Sequence, residues 1–200
     1  MLRKAAKTLA AVLSTILVSP LIFSERLCRS VLQRDVLFTA QAQLLSLFPG
    51  SFGSWLRVAY YHFTLAACPF DVVISFGSIF THSEASLGRR VYVGTRCILG
   101  IVSIGDRTML ADSIFVLSGK NQHGTDPGKS YQDQEGVFTR VAIGRNCWIG
   151  TNTVIMADIG DDSIIGAGSV VTKAIPANSR AVGNPARVLS SSVETSTATR

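Results

Sequence analysis

Residues 141–171 read VAIGRNCWIGTNTVIMADIGDDSIIGAGSVV. Within them Ile143, Ile149, Ile155, Ile159, Ile165 and Val171 recur every sixth residue with one four-residue step, and most precede Gly. The same beat runs upstream through Leu87, Val93, Leu99, Ile104, Leu110 and Val116, with one five-residue step. A period of six over so long a stretch describes a coiled solenoid rather than a globular core.

Two positions before most anchors stands a small side chain: Cys97, Thr108, Cys147, Thr153, Ser163 and Ser169. Strand side chains alternate faces, so i and i−2 point the same way. Each unit therefore sends one bulky and one small residue inward from a short strand. The pairs and triplets between units, such as Gly94-Thr95, Gly105-Asp106 and Gly160-Asp161-Asp162, supply turns and positive φ. Units grouped by three close a triangular coil, and stacked coils bury the anchors as ladders while pairing the backbone between them.

At 200 residues the chain suits one domain with an appendage. A hydrophobic fraction of 47% against 16% charged residues describes a folded, rather apolar protein. The net charge of +6 is spread along the chain without a basic run interleaved with aromatics, which argues against nucleic acid and suits a phosphate-bearing cofactor or an acidic lipid surface. Cys28, Cys68, Cys97 and Cys147 show no CxxC pair and no zinc spacing. Cys97 and Cys147 fall on the small inward position and read as core fillers.

Residues 1–70 read as an N-terminal apolar helical segment, 71–189 as the repeat domain, and 190–200, mostly Ser, Thr and Ala, as a disordered tail. Arg3, Lys4 and Lys7 precede an uncharged run from Thr8 to Phe23. As a helix this run extends roughly 24 Å, short of the hydrocarbon core, and Pro20 is expected to kink it. Three readings stay open: a membrane-attached or partly embedded helix, a packed helix of the fold, and a cleaved signal. A second apolar stretch between Gln41 and Leu65 contains Trp55, Arg57, Tyr60, Tyr61 and His62, types that favour a water–lipid boundary. The same stretch would serve equally well to cover the open end of the solenoid.

The six-residue rhythm stops at 120–139, a polar loop rich in turn formers. Long excursions from a repeat serve binding, since the solenoid gains nothing from them. His123 sits near its start beside Gly124. Imidazole titrates close to neutrality and is the natural group to take a proton from a hydroxyl, so His123 is the first candidate for catalysis. Asp126, Asp133 and Glu135 lie nearby in the chain as candidates to orient it. His82 is a second candidate, as an acceptor-site residue, and His62 reads as a packing residue. The three histidines are far apart without a close pair, which argues against a three-imidazole zinc site.

The repeat, the Trp148-Ile149-Gly150 segment, Gly166-Ala167-Gly168-Ser169-Val170-Val171-Thr172-Lys173 and Gly183-Asn184-Pro185-Ala186-Arg187 together resemble the hexapeptide-repeat acyltransferases, over about residues 72–189. The resemblance implies a mainly β fold, a left-handed parallel β-helix, here with an N-terminal helical extension. It implies a sugar O-acetyltransferase with acetyl-CoA as donor and no metal, assembled as a homotrimer with sites between subunits. It also implies that His123, after Leu117-Ser118-Gly119, is the general base for direct attack of a saccharide hydroxyl on the thioester. Trp148, Gly150, Gly166, Ala167, Lys173 and Arg187 would then meet the donor, the last two at its phosphates, and His82, Asn121 and Asp126 the acceptor. The basic, apolar N-terminus places that acceptor, a saccharide or lipid-linked saccharide, at the cytoplasmic face of a membrane. The short Ile155–Ile159 step departs from the commoner pattern of a longer Pro-Gly turn. A non-catalytic scaffold for polysaccharide assembly and an N-acetyltransferase of an amino sugar are the rival readings.

Overall fold

The computed structural model describes residues 2–32, 35–119 and 122–191. Three helices, α1 (Leu2–Leu32), α2 (Val36–Ser46) and α3 (Gly50–Thr64), precede a stack of short strands. In chain order these are β1 (Val73–Ile74), β2 (Ile79–Phe80), β3 (Ser86–Leu87), β4 (Tyr92–Val93), β5 (Ile98–Leu99), β6 (Val102–Ile104), β7 (Met109–Leu110), β8 (Phe115–Val116), β9 (Val141–Ile143), β10 (Trp148–Ile149), β11 (Val154–Ile155), β12 (Ile164–Ile165), β13 (Val170–Val171), β14 (Ser179–Gly183) and β15 (Ala186–Ser191). Successive strands pair in parallel not with each other but with the strand one coil away. This makes three faces of a left-handed β-helix: β1-β4-β7-β10-β12-β14, then β2-β5-β8-β11-β13, then β3-β6-β9. Single bridges Ile143–Ile159 and Ile159–Ile175 extend the third face.

Register explains the ladders. On the first face Ile74, Val93, Leu110, Ile149, Ile165 and Ala181 are aligned and buried, while their predecessors point outward. The small inward residues are all buried, as the alternation requires. Their hydroxyls add something that size alone did not predict. Thr108 Oγ1 donates to Gly144 O at 2.6 Å and accepts from Cys147 N at 3.0 Å, and Ser78 Oγ does the same with Gly94 O and Cys97 N. A buried corner thus keeps its backbone groups paired.

Two corners of each coil pass through the left-handed region. Arg90, Arg107, Asn146, Asp162 and Asn178 occupy one corner, with φ between 54° and 61°. Aspartates tie the corners together, because Asp106, Asp112 and Asp161 each accept the backbone N–H of a residue one coil earlier, Arg89, Thr95 and Arg145. The Thr95 N–H holds the Asp112 carboxyl below the ordinary range. A depressed carboxyl stabilises the fold above its unfolded pKa and loses that contribution as pH falls through the folded value. Thermal melts of the wild type should therefore fall more steeply with acidification below about pH 4 than those of Asp112→Asn. Parallel curves for the two proteins would remove Asp112 from the acid response.

The helices cover the first coil, whose strand edges have no preceding coil to pair with. Ser54 Oγ accepts from Ile74 N, Tyr61 Oη accepts from Phe80 N, and Ser46 O accepts from Gly77 N. Arg57 donates from Nε to Ile74 O at 3.0 Å and from Nη1 to Leu45 O at 2.9 Å and Phe48 O at 2.8 Å. Arg57, Tyr60 and Tyr61 are wholly buried, so their expected place at a lipid boundary is corrected: they seal the solenoid, and only Trp55 of that set stands exposed.

Helix α1 runs unbroken through Pro20. Proline leaves the carbonyl four residues back without a donor, and Ser19 Oγ supplies one, bonding Ile16 O at 2.8 Å. At the other end Ile175–Asn178 forms a further corner. Ile175 bridges Ile159, Asn178 takes the left-handed conformation of the corners before it, and β14 continues the first face. β15 returns antiparallel to β14 and carries strand structure through Ser190 and Ser191, which the composition had assigned to the tail. Residues 192–200 lie outside the described residues.

Candidate functional site

The third corner of the coils, between the second and third faces, is where the long excursion departs after β8 and returns before β9. Its stem is closed by Thr139 N donating to Ser118 O at 2.9 Å. Gly119 has φ 86° and lies so close to Thr139 that a Cβ would strike its hydroxyl, so only glycine fits the exit. Within the loop Gln134 is the clamp: Oε1 accepts from Asp126 N at 2.7 Å, and Nε2 donates to Lys129 O at 3.1 Å. Gly136 presses on the carbonyl of Gln122, the neighbour of His123.

His123 is exposed and its imidazole makes no hydrogen bond to another described residue. Of the three nearby carboxylates, Asp126 instead meets Lys129 Nζ at 3.2 Å. Asn121, expected at the acceptor, lies outside the described residues. His82 stands at the same third corner two coils earlier. Its ring centroid is 5.7 Å from that of Phe138, at the returning end of the loop, and Nδ1 is 2.9 Å from Thr81 Oγ1. Arg140 donates to Glu84 O at 2.8 Å beside it. His82 and the loop are thus brought together, while Phe138 and Arg140 carry no motif that the sequence alone would single out.

The expected donor residues divide. Trp148 on β10 is 58% exposed and in register with Met109 below and Ile164 above. Gly150 lies so close to Ala167 that no Cβ fits between the two coils, and Gly166 is covered by Val182 in the same way. Arg187 pairs with Val182 across the β14–β15 hairpin, one strand from Gly166. These residues share one end and one edge of the first face. Lys173 is exposed at the third corner after β13, away from that edge. A dent of about 210 Å³ opens beside Trp148, between Tyr92, Met109 and Asp112.

The outward ladders differ in kind. Val73, Tyr92, Met109 and Trp148 on the first face, and Ile98 and Phe115 on the second, are large, apolar and exposed. The third face presents Ser86, Ser103 and Ala142. Inside, burial pushes the thiols of Cys97 and Cys147 up, and that of Cys68 to about 12, so these remain uncharged core fillers. His62 packs on Phe70 at 4.0 Å and bonds Cys68 O through Nδ1 at 2.7 Å.

Comparison with known proteins agrees with this architecture. Residues 140–173 match the family described as the hexapeptide repeat of succinyl-transferase. Galactoside O-acetyltransferase of Escherichia coli (strain K12) is 35% identical over 113 residues, 54% of this chain and 54% of its own. A maltose O-acetyltransferase structure from Clostridium difficile 630 superposes with a TM-score of 0.60 at 26% identity, covering 77% of this chain and 84% of that one. A galactoside acetyltransferase in complex with coenzyme A shares the fold, with a TM-score of 0.60 at 24% identity over 78% of this chain and 79% of that one. The chain spans about half the length of the curated relatives it matches. Six-residue coils with buried aliphatic ladders, a loop at the third corner and these likenesses give this chain the fold of the hexapeptide-repeat acetyltransferases it resembles.

Proposed function

We propose that the protein transfers an acetyl group from acetyl-CoA to a saccharide hydroxyl, in the making of a polysaccharide or glycolipid at the cytoplasmic face of a membrane. The observation that carries the reading is His123, an unencumbered imidazole on a loop stapled to a rigid solenoid of acyltransferase type. The imidazole takes the proton of the acceptor hydroxyl as that oxygen attacks the thioester carbonyl. The tetrahedral intermediate then expels the coenzyme thiolate, which recovers the proton from the imidazolium, leaving an O-acetyl ester. Cys97 and Cys147 play no covalent part, since burial holds their thiols protonated.

The edge bearing Trp148, Gly150, Gly166 and Ala167 offers a track along which a pantetheine arm runs against backbone, with Arg187 at its end and Lys173 reaching the phosphates from the third corner. His82, Asn121 and Asp126 meet the acceptor. A loop histidine in open solvent needs a wall. A homotrimer in which a neighbour's outward ladder faces the loop supplies one, and the exposed Tyr92, Met109, Trp148 and Phe115 are the surface such an assembly buries.

Labelled acetyl-CoA offered to a panel of sugars and membrane glycolipid extract, read by mass spectrometry, tests the proposal. A labelled saccharide ester is expected. Label on an amino-sugar nitrogen would move the protein to N-acetylation, and no transfer together with no acetyl-CoA binding would leave only a scaffold.

A further inference from the structure

The described side chains of α1 divide into two opposite stripes. Ser14, Val18, Ile22 and Glu25 are buried against the rest of the protein. Facing the other way, Leu9, Leu13, Ile16, Phe23, Leu27 and Val31 are exposed, Phe23 and Val31 at 71%. The stripe that faces outward is therefore the more apolar, the reverse of a helix that ends its contacts at water. The inner stripe holds polar links instead: Glu25 is fully buried and pairs with Arg29 at 2.7 Å, and Ser24 Oγ accepts from Gln41 Nε2 at 2.9 Å. Arg29 and Arg26 also donate to the carbonyls of Thr64 and Phe63 at the end of α3.

We infer that α1 lies in the plane of a membrane, with its outer stripe sunk into one leaflet while its inner stripe stays docked on the protein, and that it does not cross. The inference rests on the membrane location proposed above and specifies its geometry. From Leu9 to Val31 the outer stripe measures about 33 Å, so length alone would permit crossing. Docking forbids it. The stretch that would lie in hydrocarbon is bound side by side to α3 and α2, which are themselves seated on the first coil, so that coil's loop backbone would have to follow it into lipid.

Two observations select a lipid surface as the occupant. Glu25 is the only acid in the α1 sequence and is buried, Arg26 is exposed, and the sequence ahead of them carries Arg3, Lys4 and Lys7, a positive balance that complements anionic headgroups. The apolar surface also continues past the helix. A groove of about 770 Å³ joins Val12 and Ile16 of α1 to Trp55 of α3, and Trp55 is exposed, a residue type that favours the membrane interface.

The full-length protein is tested by flotation with vesicles of phosphatidylcholine alone or mixed with phosphatidylglycerol. Flotation is expected with the mixed vesicles and should weaken with salt. Leu13→Asp and Phe23→Asp should each lower the bound fraction about tenfold, while Ser19→Asp, at the flank, changes it little; circular dichroism confirms that each variant is folded. In Trp148→Phe, which leaves Trp55 as the sole indole, brominated lipid should quench the fluorescence. Spin labels at Leu9→Cys, Ile16→Cys and Val31→Cys, in a Cys28→Ser background, should report one shallow depth. Failure to float would overturn the membrane location and with it this inference, and concentration-dependent self-association without flotation would assign the stripe to a second copy. Flotation with a deep centre and aqueous ends would overturn only the in-plane geometry.

Discussion

His123→Ala should lower acetyl transfer by roughly 10²–10⁴-fold, the span that general-base catalysis contributes. The expectation is that large because His123 is the one imidazole within residues 120–139. Asp126 is engaged by Lys129, and His82 is held beside Phe138 at the loop's far end. The side chain is exposed, so its removal should leave the melting temperature and the affinity for acetyl-CoA unchanged. Steady-state rates with a saturating donor, together with calorimetric binding of coenzyme A, check both halves. A variant with near wild-type turnover would dismiss His123 as the base and turn attention to His82.

The second large effect is structural. Arg57→Met should destabilise the protein by on the order of 3 kcal/mol, since it strands several buried carbonyls that a charge-assisted donor now serves. Burial already lowers the pKa of this guanidinium. It has no carboxylate partner, and Nη2 finds no acceptor among the described residues. Its fork nevertheless reaches Ile74 O of the first coil on one side and Leu45 O and Phe48 O at the end of α2 on the other. Thermal melts should show a midpoint lower by roughly 6–12 °C. Arg57→Lys keeps the charge but cannot bridge both sides, and should fall between the two. If the Met variant melts with the wild type, the seal of α2 and α3 on the first coil rests on the tyrosines instead.

Much of the solenoid could be read from its period. Anchor and small residue alternate with the strand, so Ile149, Ile155, Ile165 and Val171 announced both their own burial and that of Cys147, Thr153, Ser163 and Ser169 two places before them. The last coil is harder to read because β14 abandons the six-residue beat after Pro176, although Asn178 keeps the corner conformation. Arg57 was misread for a different reason. Side-chain type records affinity for an interface, whereas the burial of Arg57 is set by carbonyls contributed from α2 and β1, which sequence proximity does not reveal. Candidate site residues could be singled out in part: His123 by isolation on a polar loop, and Gly150 and Gly166 by segments that resemble the family's donor side. Phe138 and Arg140 escaped, because their roles arise only when the loop folds back on the corner holding His82 and Glu84.

The narrow stem of that loop has a consequence for how such a protein diversifies. Ser118 and Thr139 close it with one backbone bond, and Gln134 knots its interior without help from the coils. Evolution can therefore exchange the residues between as a cassette, altering what the loop presents while the coils beneath are inherited unchanged.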